Sequence, residues 1–235
     1  MIVTFYSTKS STKTSIAVST AVHFINQGEN VTFADLDVLQ GSAASWLDIR
    51  QEVESLKPVP CIQRAGKFVA RELLELKKYY EWIVVDCAGQ ADVNGRSALT
   101  VTDLAIIPVM PTSLSLMTLE KTLNTCIDAQ AQNEKLKVAL FLTCCSANPL
   151  VKDTQQAKEI IKNLISEFDN FYLAESTVTY RKIWADVVAE GKGISESNKM
   201  LSPNLINLYK RYSHGTRKTQ TIKTSCNYAK YGNIH

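Results

Sequence analysis

The chain has 235 residues, of which 45% are hydrophobic and 21% are charged, a composition typical of globular proteins. This length suits one α/β domain, or one domain with a tail. The sequence contains neither an apolar run of about 18 residues nor the pattern of a signal peptide, which argues against a membrane-spanning or secreted protein. We therefore expect a cytoplasmic protein.

The net charge of +3 is unevenly distributed. Residues 1–196 carry 19 Lys and Arg against 23 Asp and Glu, whereas residues 197–235 carry 7 Lys and Arg and no acidic residue. The C-terminal part is therefore basic, as in segments that contact nucleic acid or an anionic membrane surface. Residues 213–235 also lack apolar periodicity, so a solvated, flexible tail is the alternative.

Short apolar runs alternate with helical patterns along the chain. The predicted strands are 2–6, 31–35, 58–63, 82–86, 103–108, 137–142 and 171–174. The predicted helices are 13–27, 42–54, 67–80, 95–101, 115–133, 151–168, 179–190 and 202–212. The strand candidates are continuously apolar, as in strands covered on both faces. This order predicts an α/β fold with a doubly wound, mostly parallel sheet flanked by helices, in one domain (1–212) followed by the tail (213–235).

Ligands of such sheets bind at the carboxyl ends of the strands. After the first predicted strand, Lys13-Thr14-Ser15 stands at the start of a helix. A lysine at this place can neutralise phosphate charge, and the hydroxyl that follows can bind Mg²⁺. The helix N-terminus adds free N–H groups and the positive end of the dipole. The first loop is therefore a candidate phosphate site.

Acidic residues follow two further strands. Asp35 and Asp37 end the second strand, where they either polarise water near a metal ion or cap the next helix. The fourth strand ends in Asp86, with Gly89 three residues later, which is the Walker B pattern. Its carboxylate is expected near Mg²⁺, and the glycine near a terminal phosphate.

With these motifs the chain resembles the ParA/MinD group of deviant Walker ATPases, in particular the small ParA-like partition proteins of plasmids. The resemblance covers about residues 1–200. The matching segments are Lys13-Thr14-Ser15, Asp35-Leu36-Asp37 with Gln40 and Trp46, Asp86 to Gly89, Ile107 to Thr112, Tyr180-Arg181-Lys182 and Glu190 to Glu196. The resemblance implies the architecture of P-loop NTPases.

The resemblance also implies a cofactor, ATP with Mg²⁺, and a role for each matched residue. Lys13 would contact the β- and γ-phosphates, and Lys9 would be the signature lysine that reaches the ATP of the partner in a dimer. Asp37 would orient the attacking water, and Gly89 would sense the γ-phosphate. The implied metal ligands are Thr14 and Asp86, and the implied phosphate loop comprises Ser10, Ser11, Thr12, Lys13, Thr14 and Ser15.

At the level of the cell, the resemblance implies a partition ATPase. ATP would drive formation of a homodimer, the dimer would bind DNA non-specifically, and a ParB-like adaptor would stimulate hydrolysis. The protein would then be associated with the nucleoid and not with a membrane. The candidate DNA contacts are Lys199, Lys210, Arg211, Arg217 and Lys218.

Two departures from the family pattern concern the same phosphate. No glycine occurs before Gly28, although the family loop is glycine-rich. A gapless alignment places Thr8 at the signature position, whereas a one-residue deletion places Lys9 there and keeps both lysines. Val38 and Leu39 also replace a single proline, which adds one residue after Asp37. These changes either compensate each other or mark a decaying site.

Two alternatives therefore stay open beside the partition ATPase. The first is a pseudo-ATPase that keeps the fold and acts as a binding or dimerisation module. The second is a MinD-like membrane switch, which requires an amphipathic helix near residues 201–212.

Overall fold

The computed structural model describes residues 1–8, 12–89, 92–148, 150–179 and 183–197, with the backbone alone for 183–185. The predicted last helix, the five candidate DNA contacts and the tail 213–235 lie outside these residues.

The described residues contain one sheet of seven strands, and every strand pair in it is parallel. The strand order is β3-β2-β4-β1-β5-β6-β7. The bounds are β1 Ile2–Phe5, β2 Val31–Asp35, β3 Cys61–Gln63, β4 Trp82–Asp86, β5 Leu104–Val109, β6 Lys137–Cys145 and β7 Phe171–Thr179. The predicted doubly wound, parallel fold is thereby confirmed.

Helices connect the strands and cover both faces of the sheet. The bounds are α1 Lys13–Asn26, α2 Ser42–Gln51, α3 Val69–Leu76, α4 Val93–Leu99, α5 Ser113–Gln130, α6 Asp153–Ile165, α7 Ile183–Ala189 and α8 Ile194–Ser197. One apolar cluster joins α1, α2 and the C-terminal helices to the sheet, and a second joins α3 to α6 to its other face. This burial on both sides explains why the strands are apolar throughout.

The helix predicted at 179–190 begins later in the structure than its sequence pattern indicates. Strand β7 continues to Thr179, and α7 begins at Ile183. The segment Ser176 to Thr179 is rich in β-branched residues, which favour an extended backbone. It also pairs with the second half of β6, across two register shifts. Strand pairing therefore extends β7 beyond its apolar start.

The first residues of the predicted strand 58–63 do not join the sheet. Pro58 and Pro60 have no N–H, so they cannot complete a strand ladder. The Pro60 carbonyl nevertheless accepts the N–H of Phe33 at 2.8 Å, which guides the chain onto β2. Strand β3 then begins at Cys61 and stays short at the edge of the sheet.

Candidate phosphate and metal site

Three strand ends meet where the sequence predicts the site. Phe5, the last residue of β1, is in register with Asp86, the last residue of β4, and Asp86 is in register with Asp35 at the end of β2. Leu36 N–H donates to the Asp86 carbonyl at 2.9 Å, so the backbones stay paired to the ends of the strands. The two acidic motifs and the first loop therefore share one edge of the sheet.

Thr14 and Asp86 are in direct contact. The Thr14 hydroxyl donates to Asp86 Oδ2 at 2.6 Å, while Asp86 Oδ1 is buried without a hydrogen-bond partner among the described residues. Burial raises the pKa of Asp86 to about 7, against the opposing effects of the Thr14 hydrogen bond and the Lys13 charge. A buried carboxylate oxygen without a donor is the arrangement that a cation would satisfy.

Lys13 is the first residue of α1, and its side chain is almost completely buried. Burial lowers the pKa of Lys13, while the carboxylates of Asp86 and Asp37 oppose that shift. A buried ammonium close to two acids gains further stabilisation from a bound polyanion, because the dielectric constant there is low. Lys13 therefore lies at the start of the helix that follows β1, close to the acidic residues at the ends of β2 and β4.

Asp35 and Asp37 are close in sequence but differ in environment. Asp35 is completely buried and accepts the N–H groups of Asp37 at 3.0 Å and of Ala44 at 3.1 Å. Burial raises the pKa of Asp35, and these two hydrogen bonds oppose that shift. Ala44 lies in the first turn of α2, where backbone N–H groups have no acceptor within the helix. The Asp35 carboxylate therefore caps the N-terminus of α2. Asp37 is partly exposed at the site.

The extra residue after Asp37 is accommodated in a tight turn. The Asp37 carbonyl accepts the N–H of Gln40 at 3.1 Å and that of Gly41 at 2.7 Å, and α2 begins immediately afterwards. Leu39 at the tip of this turn is fully exposed. The insertion therefore extends outward, and both ends of the turn stay fixed by backbone hydrogen bonds.

The first loop is described only at its two ends. The Thr8 hydroxyl lies 2.8 Å from the hydroxyl of Thr122 on α5, which also accepts Thr8 N–H at 3.3 Å. Thr12 precedes α1 and has a buried hydroxyl without a hydrogen-bond partner among the described residues. Ser15 lies in the first turn of α1, where backbone N–H groups have no helical acceptor. Lys9, Ser10 and Ser11 lie outside the described residues.

The end of β4 and the end of β5 lead into capped helices. Cys87 N–H donates to the Phe5 carbonyl at 3.3 Å, and Gly89 follows in a partly exposed bend. Asp92 accepts Gly95 N–H at 2.6 Å at the start of α4, and Thr112 accepts Ser115 N–H at 3.3 Å at the start of α5. These caps explain why α4 and α5 begin two residues before the predicted positions.

Sequence patterns did not reveal one of these positioning residues. Thr122 lies in the middle of α5, 114 residues from Thr8, and a threonine inside a helix gives no signal of such a contact. Asp35 and Asp37 differ in environment because the folded loop brings two backbone N–H groups close to the carboxylate of Asp35. Among the segments of the family resemblance, Tyr180, Arg181 and Lys182 lie outside the described residues.

None of the helices in the described ranges combines the length and the apolar composition needed to cross a membrane.

Comparisons with known proteins agree with this architecture. A family model described as an AAA domain matches residues 59–138. None of the curated proteins compared with the chain matches it.

Solved structures with a similar fold cover almost the whole chain. McdA from Cyanothece, in its apo form, is 12% identical with a TM-score of 0.72 over 91% of this chain and 99% of that one. A plasmid partition protein from Borrelia burgdorferi B31 bound to AMPPNP is 16% identical, with a TM-score of 0.64 over 89% and 98%. A chain of the MinC:MinD cell division complex from Aquifex aeolicus is 16% identical, with a TM-score of 0.65 over 93% and 98%. The fold is thus that of these solved structures, and the predicted resemblance in fold is confirmed.

Proposed function

We propose that this chain is a ParA-like ATPase that binds ATP and Mg²⁺ at the carboxyl edge of its sheet. The observation that carries the proposal is the contact between Thr14 and Asp86, beside the buried Lys13. Thr14 and Asp86 are 72 residues apart in the chain, and the fold brings their side chains into contact at the carboxyl edge of the sheet. Two of the solved structures with this fold hold ATP or AMPPNP, which supports the same ligand here.

The residues at the site fit a magnesium ion. Thr14 Oγ1 and Asp86 Oδ1 are hard oxygen donors, and the second of them has no other partner among the described residues. Bound Mg²⁺ would neutralise charge on the β- and γ-phosphates. Thr14 would bind the ion directly, and Asp86 would hold its hydration shell, because Mg²⁺ usually keeps several waters.

The remaining residues of the site would bind and orient the nucleotide. Lys13 would contact the β- and γ-phosphates as the buried cation, and Gly89 would offer its N–H to the terminal phosphate. Asp37, held by the buried carboxylate of Asp35, would orient the attacking water. Ser10, Ser11, Thr12 and Ser15 would donate hydroxyl or backbone hydrogen bonds, and Lys9 would reach the nucleotide bound to the partner.

Exposed apolar side chains on the same edge support a homodimer that encloses the nucleotide. They follow the carboxyl ends of β2, β4, β5 and β6, the edge of the sheet that carries the site; they are Val38, Leu39, Val93, Leu114, Met117 and Leu150. Exposed apolar side chains gathered at one edge of a protein are typical of an interface. The turn that carries Leu39 would therefore contribute to dimer contacts.

In the cell, the protein would act in partition or in positioning of a cargo. The dimer would bind DNA non-specifically, and a ParB-like adaptor would stimulate hydrolysis at the cargo. The basic residues from Lys199 to Lys218 supply a sequence basis for DNA binding, which fits a protein of the cytoplasm and nucleoid. The solved structure of a plasmid partition protein with this fold supports this class of function.

A second candidate is a binding module of the same fold that lacks turnover. The observation that favours it is the absence of glycine before Gly28, since three or so strained residues in a phosphate loop cost roughly 3–5 kcal/mol. A cost of that size would weaken nucleotide binding by about 10²- to 10³-fold.

A titration with fluorescent ATP, with and without Mg²⁺, tests the proposal. We expect saturable, Mg²⁺-dependent binding that is lost in Lys13→Ala, followed by measurable phosphate release. Lys192→Ala, which changes a partly exposed lysine paired with Glu190 near the start of α8, is the matched control. Saturable binding without phosphate release would overturn the hydrolytic part of the proposal, and absence of binding at millimolar ATP would overturn the ATPase and leave the binding module.

A further inference from the structure

One exposed segment of the described body is basic, although the body as a whole is acidic. The described residues carry 16 Lys and Arg against 23 Asp and Glu, a net charge of −7. Between Glu54 and Glu72, however, no acidic residue occurs. Three cations of this stretch, Arg64, Lys67 and Arg71, lie in the β3–α3 loop and the first turn of α3.

These cations are presented together at the surface. Arg64, Lys67 and Arg71 are all exposed; Lys67 lies in the turn before α3 and Arg71 in the first turn of that helix. The Lys67 ammonium lies 5.1 Å from the centroid of the exposed Phe68 ring. We call these four residues the β3–α3 surface.

The loop that carries this surface is fixed at both ends. Arg64 N–H donates to the Asp35 carbonyl at 3.0 Å, and Gly66 N–H donates to Asn94 Oδ1 at 2.8 Å. The Arg64 guanidinium is held 2.9 Å from Glu72 on the next turn, with both side chains still almost half exposed. A fixed loop loses little conformational entropy on binding, so its cations are arranged in advance for a ligand.

We propose that the β3–α3 surface binds the phosphate backbone of duplex DNA. This inference rests on the proposed function and gives its DNA binding a location within the folded body, separate from the basic residues after 198. Duplex DNA presents one negative charge per about 1.7 Å of its axis, a density that suits three cations on one short segment. The net negative charge of the described body disfavours DNA contacts elsewhere on that body, so this surface is the favoured contact within it.

The position of the surface also couples it to the nucleotide site. Asp35 anchors the Asp37 turn through its carboxylate and the β3–α3 loop through its carbonyl. Gln63, the last residue of β3, lies against Gly41 at the end of the same turn. A movement of the Asp37 turn on nucleotide binding would therefore reach the β3–α3 loop directly.

The test compares three forms of the full-length chain by fluorescence anisotropy with a labelled duplex, with ATP and Mg²⁺, from about 50 to about 200 mM salt. The first form is the unmodified protein, and the second carries Arg64→Gln, Lys67→Gln and Arg71→Gln. The matched control carries Lys152→Gln, Lys158→Gln and Lys162→Gln, which remove the same charge from α6 and the loop before it. Circular dichroism confirms that each variant is folded.

We expect the surface variant to bind at least about tenfold more weakly, with a salt slope reduced by roughly 2 to 3, since each phosphate contact contributes about 0.9. In the α6 control variant, the changes in affinity and in salt slope should each be no more than about a third of those in the surface variant. Equal effects of the two triple variants would overturn the inference. So would displacement of the DNA by poly-glutamate at equal charge concentration, which would identify a docking surface for acidic polypeptides.

Two further outcomes separate the inference from the proposed function. If binding is lost only on deletion of residues 213–235 and the surface variant binds normally, the inference is wrong and DNA binding by the tail stands. If the unmodified protein binds nucleotide but shows no salt-dependent DNA binding, both the inference and the DNA-binding part of the proposed function are overturned.

Discussion

The Arg50 guanidinium forms a bidentate ion pair with the Glu196 carboxylate, 146 residues further along the chain, at 2.8 and 2.9 Å. Arg50 is completely buried and also donates to the carbonyls of Lys57 and Gly191. Glu196 accepts in addition the side chain of Asn26 at the end of α1. The pair therefore ties the last described segment to both α1 and α2, the helices that follow the first loop and the Asp37 turn.

Glu196→Gln is expected to destabilise the protein by about 2–4 kcal/mol near pH 7, because it leaves the buried Arg50 charge without its counter-ion. Urea denaturation measures the difference. The matched control is Glu190→Gln, which removes one exposed partner of the surface pair with Lys192 and should cost less than about 1 kcal/mol.

The same variant has a defined pH dependence. Burial acts to raise the pKa of Glu196, but hydrogen bonds from Arg50, Asn26 and Gly193 outweigh it, so the pKa in the folded state is lowered. An acid whose pKa is lower in the folded state than in the unfolded state stabilises the fold when the pH is above the unfolded-state pKa. That stabilisation is lost as the pH falls through the folded-state pKa. The difference between the two proteins should therefore shrink below about pH 4.5. A difference that stays constant at lower pH would contradict this account.

Asp86→Asn is expected to stabilise the unliganded protein while abolishing Mg²⁺-dependent nucleotide binding. The pKa of Asp86 is raised from 3.8 to about 7, so the folded state retains a proton that the unfolded state loses between these values. The stability contributed by protonated Asp86 is thus lost as the pH rises from about 4 to 7. Asparagine stays neutral at every pH and so does not suffer this loss. We therefore expect the free energy of unfolding of the variant to be about 1–4 kcal/mol higher than that of the unmodified protein at pH 8.

Thermal unfolding of the unliganded Asp86→Asn variant checks this prediction, and ATP titration of the same sample checks the metal site. The gain should decrease towards pH 4, where the native carboxyl is also protonated in both states. Equal stabilisation at pH 4 and pH 8 would show that packing, and not the buried charge, causes the effect.

Gly191→Ala is expected to cost more stability than Gly28→Ala, although both glycines have positive φ values, +65° and +84°. An added Cβ at Gly191 would lie 2.6 Å from Arg50 Cα, whereas nothing lies within 4 Å of one at Gly28. The Gly28 variant therefore bears only backbone strain of about 1 kcal/mol. The Gly191 variant must also displace the backbone beside the Arg50–Glu196 pair, which should at least double the cost in urea denaturation.

Leu39→Asp is expected to weaken dimerisation at least tenfold without changing the stability of the monomer. Leu39 is fully exposed at the tip of the Asp37 turn, so a charge there disturbs no core packing. Sedimentation in the presence of ATP measures association. Ile160→Asp changes an exposed apolar residue of α6 and is the control. Normal association of Leu39→Asp would remove this turn from the proposed interface.

The sequence alone was sufficient for the alternation of strands and helices, because continuous apolar runs and helical periods follow directly from burial on both faces of a parallel sheet. It also placed Lys13, Thr14 and Asp86 at the carboxyl edge of the sheet, since ligand sites of doubly wound folds lie there. The bounds of β7 could not be read in this way, because Ser176 to Thr179 become a strand through pairing with β6.

Only the tertiary structure showed how residues of the same type at similar positions differ in their contacts. Asp35 and Asp37 are both acids at one strand end, but only the folded turn brings two N–H groups to the carboxylate of Asp35. Thr8 meets Thr122, and Arg50 meets Glu196, across more than a hundred residues. Such contacts depend on the packing of whole helices against the sheet. The local sequence around either residue does not indicate which distant residue will lie next to it.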